Sequence, residues 1–426
     1  MIGRRVIPFL AELSFIILSL LTPSIQGFFV RPSAHCLHST WGSLSRREAA
    51  NVSEPAATRA PPRTGIAQKV LDMALASPLW KYLLVPQARA KIVATAEANQ
   101  IPWTSAKEWI SGEMQTEITA DPPLSTTTIP AYYQQSFHAY DKGNLSWEAA
   151  LEVEIASCAV GARNFPQFGS NGEEAFRGAF DSALIEAGAV VSKAGRILDM
   201  GCGTGMSTRR LAINFPQAKA IQGVDLSPYF VAVGKRLLEL APNSFHEGGP
   251  WVSNIERDAR IEYLVGDASN ALQLKELQEE SFDAINLQFV LHELPPEVAI
   301  LVVDEAFRLL KPSGQLWICE MDFEAPAYAA QRANPLLFSL IRSTEPYLDI
   351  YAESISDLFS YVRSKFQHVK VVPATGRHFA LVATRRGTGY DGEALFEDQR
   401  FDEDGNYRVE DTHLQLWESK GNQKHN

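Results

Sequence analysis

Three carboxylates, a run of glycines and one histidine are the residues of this 426-residue chain whose types and spacing could do chemistry. Asp199 closes the apolar stretch Ile197-Leu198 and is followed by Gly201, Cys202, Gly203 and Gly205. Closely spaced glycines let the backbone turn sharply and approach a ligand that any Cβ would push away. The segment Arg196 to Leu211 is therefore where a nucleoside-bearing cofactor would sit. Further on, the apolar run Ala220 to Val224 ends in Asp225-Leu226-Ser227-Pro228, and Ile261 to Val265 ends in Gly266-Asp267-Ala268. A carboxylate at the carboxyl end of a strand accepts two hydrogen bonds from ribose hydroxyls and excludes a ribose 2′-phosphate. The third element is Gln288-Phe289-Val290-Leu291-His292-Glu293-Leu294. A neutral imidazole near its normal pKa can take a proton from a phenol, enol or amine, and Glu293 could orient it.

The elements that must position these groups are strands followed by helices. Strands are expected at Arg196–Asp199, Ala220–Val224, Ile261–Val265 and Phe282–Val290, with a fifth after Leu310-Lys311-Pro312-Ser313-Gly314. In the G-x-G-x-x-G spacing of dinucleotide-binding proteins the third glycine would fall at Met206, so a nicotinamide cofactor is disfavoured. Asp225 could instead begin the helix Ser227–Leu240, and Asp267 the helix after it, since Asp and Ser are good caps. Their joint occurrence at the ends of consecutive strands is what a ligand crevice needs.

The spacing D-x-G-x-G-x-G, the acidic strand ends and the L-K-P-x-G turn together resemble the class I S-adenosylmethionine (SAM) dependent methyltransferases over Arg196 to Arg385. The resemblance implies an α/β, Rossmann-like, mostly parallel seven-stranded sheet with a terminal antiparallel hairpin, here Lys370–Pro373 and Phe379–Thr384. It implies SAM as cofactor, held by Asp199, Gly201, Cys202, Gly203, Gly205, Asp225, Leu226, Asp267, Ala268 and Gln288, with Asp267 receiving the adenine amino group. In that fold the loop after the fourth strand faces the transferable methyl, which makes His292 the candidate general base. The alternative for His292 is a cap on the helix from Pro295. The chemistry calls for no metal, and no zinc spacing is present. An EF-hand reading of Asp402 to Asn406 fails because Tyr407 stands where its glycine belongs.

Around this core, residues 191–386, lie a helical extension at 64–120, a Pro- and Thr-rich linker and a lid or substrate-side helical segment at 131–190. There Tyr133, Phe137, His138 and Tyr140 could line the acceptor pocket, or could form an aromatic stripe that buries a helix. A helix with a break at Pro346 is expected over Asn334–Phe359, then an acidic tail, 387–426, with a hairpin turned at Asp404-Gly405.

Residues 1–27 read as a signal peptide: Arg4 and Arg5 precede an apolar stretch, Phe9 to Leu21, too short and too interrupted by Glu12 to span a bilayer. Residues 28–63 follow as a transit-like, acid-poor disordered segment opening on Phe28-Phe29. The pair resembles the bipartite presequence of algae with complex plastids, the alternative being ordinary secretion. Seven arginines against three glutamates give residues 1–63 a net +4, so the rest carries about −15 of the chain's −11 total. Such an acidic protein without a basic stripe excludes a nucleic-acid partner and leaves peripheral membrane contact at most. With Cys36 in the presequence, Cys158, Cys202 and Cys319 are left for the mature chain, and this sparse, odd set makes no disulfide framework. The leading function is methylation of a small, apolar or aromatic acceptor in a plastid. The rivals are protein methylation and a SAM-binding assembly factor without catalysis.

Overall fold

A computed structural model describes residues 85–122, 128–138, 140–240, 257–332, 345–387 and 394–408. The presequence (1–63), residues 64–84 of the helical extension, the beginning of the expected helix at 334 and the end of the tail lie outside the described residues. Two compact units divide the chain, Met1–Ala88 and Arg89–Asn426, and the sheet and the site belong to the second.

The strands are β1 (Arg196–Met200), β2 (Ala220–Asp225), β3 (Ile261–Val265), β4 (Phe282–Gln288), β5 (Leu310–Met321), β6 (His368–Pro373), β7 (His378–Thr384) and β8 (Leu395–Asp398), in the order β3-β2-β1-β4-β5-β7-β6-β8. The first five run parallel; β7 is antiparallel to both β5 and β6. The expected seven-stranded sheet thus has an eighth strand, because Leu395–Asp398 pairs parallel with the outer edge of β6. β4 ends two residues earlier than expected, since Phe289 takes a left-handed φ of 57° and leaves the strand.

Helices are α1 (Val85–Ala98), α2 (Trp103–Glu113), α3 (Trp147–Asn164), α4 (Gly172–Glu186), α5 (Met206–Asn214), α6 (Pro228–Glu239), α7 (Pro296–Leu309), α8 (Pro326–Arg332) and α9 (Leu348–Lys365). A parallel strand covered on both faces must be apolar at successive positions, which is why the core strands read as continuous apolar runs. The pleat then separates them. Leu198, Met200, Ile285, Leu287, Leu316 and Ile318 join the core beneath α7 and α9. Ile197, Ala284, Trp317 and Cys319 join the opposite core with α4 and α5. Between β1 and β4 the strand order reverses, the place where open α/β sheets bind ligands at the carboxyl ends of their strands.

The tail segment after β8 is folded onto the end of β5. Arg400 is buried, lying 4.9 Å over the Phe359 ring, and donates to Asp398 Oδ2 at 2.7 Å and to Asp322 Oδ1 at 3.2 Å. Tyr407 donates its hydroxyl to Asp322 Oδ2 at 2.8 Å. Among the described residues no helix is long and apolar enough to cross a membrane.

Candidate active site

The glycine loop joins β1 to α5, and its three glycines are not required for one reason alone. Gly201, Gly203 and Gly205 all have positive φ, at 72°, 56° and 94°. A Cβ on Gly205 would come within 1.8 Å of the Tyr263 hydroxyl, and one on Gly201 within 2.5 Å of Val290 Cγ2. Around Gly203 the nearest group is the Phe230 ring at 4.0 Å. Two glycines are demanded by packing, and the middle one presents bare backbone to open space.

Asp199 points inward. Its Oδ2 accepts from the hydroxyls of Ser207 and Thr208 at 2.6 Å, and Oδ1 from Asn286 Nδ2 at 2.7 Å. Burial pushes its pKa up, against those three donors. Asp199 thereby ties β1 to the start of α5 and to β4. Cys202 is buried beside it, its thiol pushed well up by burial.

Asp225 ends β2 facing the loop. Oδ2 accepts from the Gly203 N–H at 2.8 Å, while Oδ1 accepts from the Ser227 N–H at 2.8 Å and meets the Tyr133 hydroxyl at 3.5 Å. Burial pushes its pKa up to about 6 despite these donors. The cap of α6 is Ser227, whose Oγ accepts from Phe230 N–H, so Asp225 is not the cap of that helix. Leu226 is buried behind it. Asp267 caps the 3-10 turn Ala268–Gln273, with Oδ1 accepting from Ser269 N–H at 2.8 Å and Ser269 Oγ at 2.7 Å. Ala268 packs half-buried on the core. Gln288 ends β4, its Oε1 accepting from Arg177 Nη1 at 3.2 Å.

The aromatic segment divides. Tyr133 reaches Asp225. Phe137 stacks edge-on against His138 at 4.2 Å and pairs its backbone with Tyr140. Tyr140 turns away from the crevice and donates to Glu152 Oε2 at 2.9 Å, with Arg89 at 4.9 Å over its ring. As a pocket residue Tyr140 is therefore corrected: the carboxylate of Glu152 on α3 draws its hydroxyl into the helical layer, where it packs with Ile110 and Met114.

His292 lies in the 3-10 turn Leu291–Glu293 at the mouth of β4 and is buried. Its Nδ1 is 2.9 Å from both oxygens of Glu320 on β5, and its Nε2 is 3.6 Å from Glu345 Oε2. Burial alone would lower its pKa, but Glu320, Glu345 and Glu293 outweigh burial and raise it to about 10. The expectation of a neutral imidazole is thus overturned by two facing carboxylates. Nor does His292 cap α7, whose N-terminus has no side-chain cap. Glu293, expected to orient the ring, instead faces His138 at 3.8 Å and accepts from Asn144 Nδ2 at 3.4 Å. Burial pushes Glu293 up to about 7, against His138 and His292.

These contacts join the two halves of the site. Asp225 meets Tyr133, the Asn144 carbonyl accepts from Ser227 Oγ at 2.6 Å, and the Asn144 amide meets Glu293, which faces His138. His138 meets Glu345 at 3.5 Å, and Glu345 meets His292. Sequence reasoning missed Asn144, Glu320 and Glu345. Glu320 alone carried a signal, a carboxylate inside the apolar strand Leu-Trp-Ile-Cys-Glu-Met. Among the described residues no group of three or more His, Cys, Asp or Glu is arranged to hold a metal ion.

Residues 198–318 match a family described as a methyltransferase domain. That span holds the glycine loop, Asp225, Asp267, Gln288 and His292, and stops short of Glu320. A demethylmenaquinone methyltransferase of Tropheryma whipplei is 31% identical over 169 residues, which are 38% of this chain and 59% of that one. A ubiquinone biosynthesis O-methyltransferase of Xanthomonas oryzae is 28% identical over 36% of this chain and 55% of its own. The chain thus spans less than two thirds of the length of these relatives. Among solved structures, an O-methyltransferase family protein of Burkholderia thailandensis aligns at 17% identity and a TM-score of 0.37, over 66% of this chain and 70% of that one.

Proposed function

We propose that this protein transfers a methyl group from SAM to a small apolar or aromatic acceptor. The observation that carries the reading is the pairing of Gly203, on the loop after β1 where the strand order reverses and with open space on its Cβ side, with the Asp225 carboxylate at the end of the neighbouring β2. The residues present fit a nucleoside. The Tyr133 hydroxyl, a phenol donor on Asp225 Oδ1, does the chemistry a ribose hydroxyl would do at the same oxygen. Gly203, Asp225 and Asp267 would hold the cofactor, which when bound supplies a methyl group on a positively charged sulfur.

The chain's own residues do the rest. Phe176, Phe180 and Phe289 pack together beside His292 and exclude water from the mouth of β4. In a dry pocket the main task is to align the nucleophile. The names of the two bacterial relatives support an acceptor of the quinone-precursor class. We place the reaction in a plastid on the strength of the presequence pattern; recovery of a reporter fused to residues 1–63 from the culture medium would refute that.

Calorimetry tests the reading. Wild type should bind SAM and its demethylated product. Gly203→Val should block the ligand sterically, and a correctly folded Asp225→Ala should lose much of the affinity. Tight NAD binding without SAM binding would overturn it. Transfer of labelled methyl into the small-molecule or lipid fraction of a plastid extract, rather than into protein, would support a small acceptor.

A further inference from the structure

Glu345 Oε2 is buried with no hydrogen-bond partner among the described residues. It stands 3.6 Å from His292 Nε2, beyond hydrogen-bond reach but close enough for one oxygen atom to contact both. The opposite ring nitrogen is fixed by Glu320, whose two oxygens both lie 2.9 Å from Nδ1. With Nδ1–H donating to Glu320, the imidazolium carries its second proton on Nε2, which faces Glu345. The other charged groups around this gap are Glu293, from the turn after β4, and His138, from the lid segment. His138 lies 3.5 Å from Glu345 Oε1 and 3.8 Å from Glu293 Oε1.

We propose that His292 Nε2 and Glu345 Oε2 together form the binding site for the hydroxyl of a phenolic or enolic acceptor, with Glu345 as the base that receives its proton. The proposal rests on the methyltransferase reading and names the acceptor class of that same site. A hydroxyl is matched on both sides, because its lone pair accepts from the imidazolium and its proton is donated to the carboxylate. An ammonium offers no lone pair and meets the like charge of His292; an ether offers no proton. In the transfer the acceptor O–H bond breaks and the proton passes to Glu345 Oε2. The oxygen's electron pair forms the new bond to the methyl carbon, and the pair of the broken carbon–sulfur bond stays on sulfur, which leaves as a neutral thioether. Glu345 is held below the usual carboxylate range because His138 and His292 outweigh burial, so proton transfer accompanies methyl transfer rather than preceding it. His292 keeps its charge throughout and balances the charge that builds on the oxygen.

The test is equilibrium binding of phenol and anisole, with and without saturating S-adenosylhomocysteine, a readout that needs no turnover. Wild type should bind phenol at least about tenfold more tightly than anisole, the worth of a hydrogen bond to charged partners. Glu345→Gln should bring the two within about twofold while leaving S-adenosylhomocysteine affinity unchanged. Should that variant fail to melt cooperatively, Glu345→Asp, which withdraws the oxygen by one methylene, should lose the preference in the same way. Equal affinities in wild type, no measurable phenol binding, or a preference that survives both substitutions would overturn the proposal. Failure to bind S-adenosylhomocysteine with the phenol preference intact would instead sink the methyltransferase reading.

Discussion

Two buried histidines stand beside the Phe289 ring, His292 at 6.0 Å and His378 at 5.4 Å between ring centroids, and they have opposite chemistry. His292 faces Glu320 and Glu345 and is raised to about 10. His378, on β7, has Phe176 and Phe180 around it, with Nδ1 2.6 Å from Thr375 Oγ1 and Nε2 3.2 Å from the Tyr328 hydroxyl. Burial, then Arg377 and His292, push it down to about 3. One is an imidazolium held by carboxylates, and the other a neutral ring held by hydroxyls. Burial is common to both, so the sign of the shift is set by whether a carboxylate comes with it.

The comparison is broken most severely by removing that carboxylate. Glu320→Ala leaves a buried cation with one flank open, and the loss expected is about 3 to 5 kcal/mol, read as a lower denaturant midpoint. Glu320→Gln should cost less, since the amide oxygen still accepts from Nδ1, and should lower the His292 pKa in an NMR titration. An unchanged His292 titration in that variant would show that Glu320 does not set its charge.

Next in size is His292→Ala, expected to lower single-turnover methyl transfer by on the order of a hundredfold, through loss of the charge that balances the acceptor oxygen, with SAM affinity nearly unchanged. Loss of stability with normal turnover would remove His292 from the reaction.

The pH dependence of stability sharpens the contrast, because the two histidines act on opposite limbs. His292 has a folded pKa above its unfolded value of 6.5, so its contribution is full below 6.5 and is lost as pH rises through about 10. His378 has a folded pKa below 6.5, so its contribution is full above 6.5 and is lost as pH falls toward about 3. Chemical denaturation across pH should show Glu320→Gln flattening the alkaline limb and His378→Phe the acid limb. An effect of either variant on the wrong limb would contradict the assignment.

The smallest effect belongs to His378→Phe near neutral pH. The apolar ring suits its neighbours but leaves the hydroxyls of Thr375 and Tyr328 without their partner, a cost of about 1 to 3 kcal/mol. SAM affinity should be unaffected, since neither hydroxyl touches the glycine loop; calorimetry on the folded variant checks this.

What the sequence determined by itself was the half of the site whose constraints are local. A strand buried on both faces shows as an apolar run, a left-handed turn shows as glycine, and a carboxylate at a strand end shows by its place in the order. The five parallel strands, the left-handed turn at Gly203 and the acidic end of β2 were legible for that reason. Tertiary structure decided the rest. Whether Asp199 faced a ligand or Asn286, whether Tyr140 stayed free or met Glu152, and whether β6 kept an open edge or gained Leu395–Asp398 depended on partners from a dozen to nearly ninety residues away. The protonation of His292 depended on Glu320 and Glu345, 28 and 53 residues further along the chain. Residue type sets an ordinary pKa, but the energy that moves it comes from charges brought near in a medium that screens them weakly, and only folding brings them there.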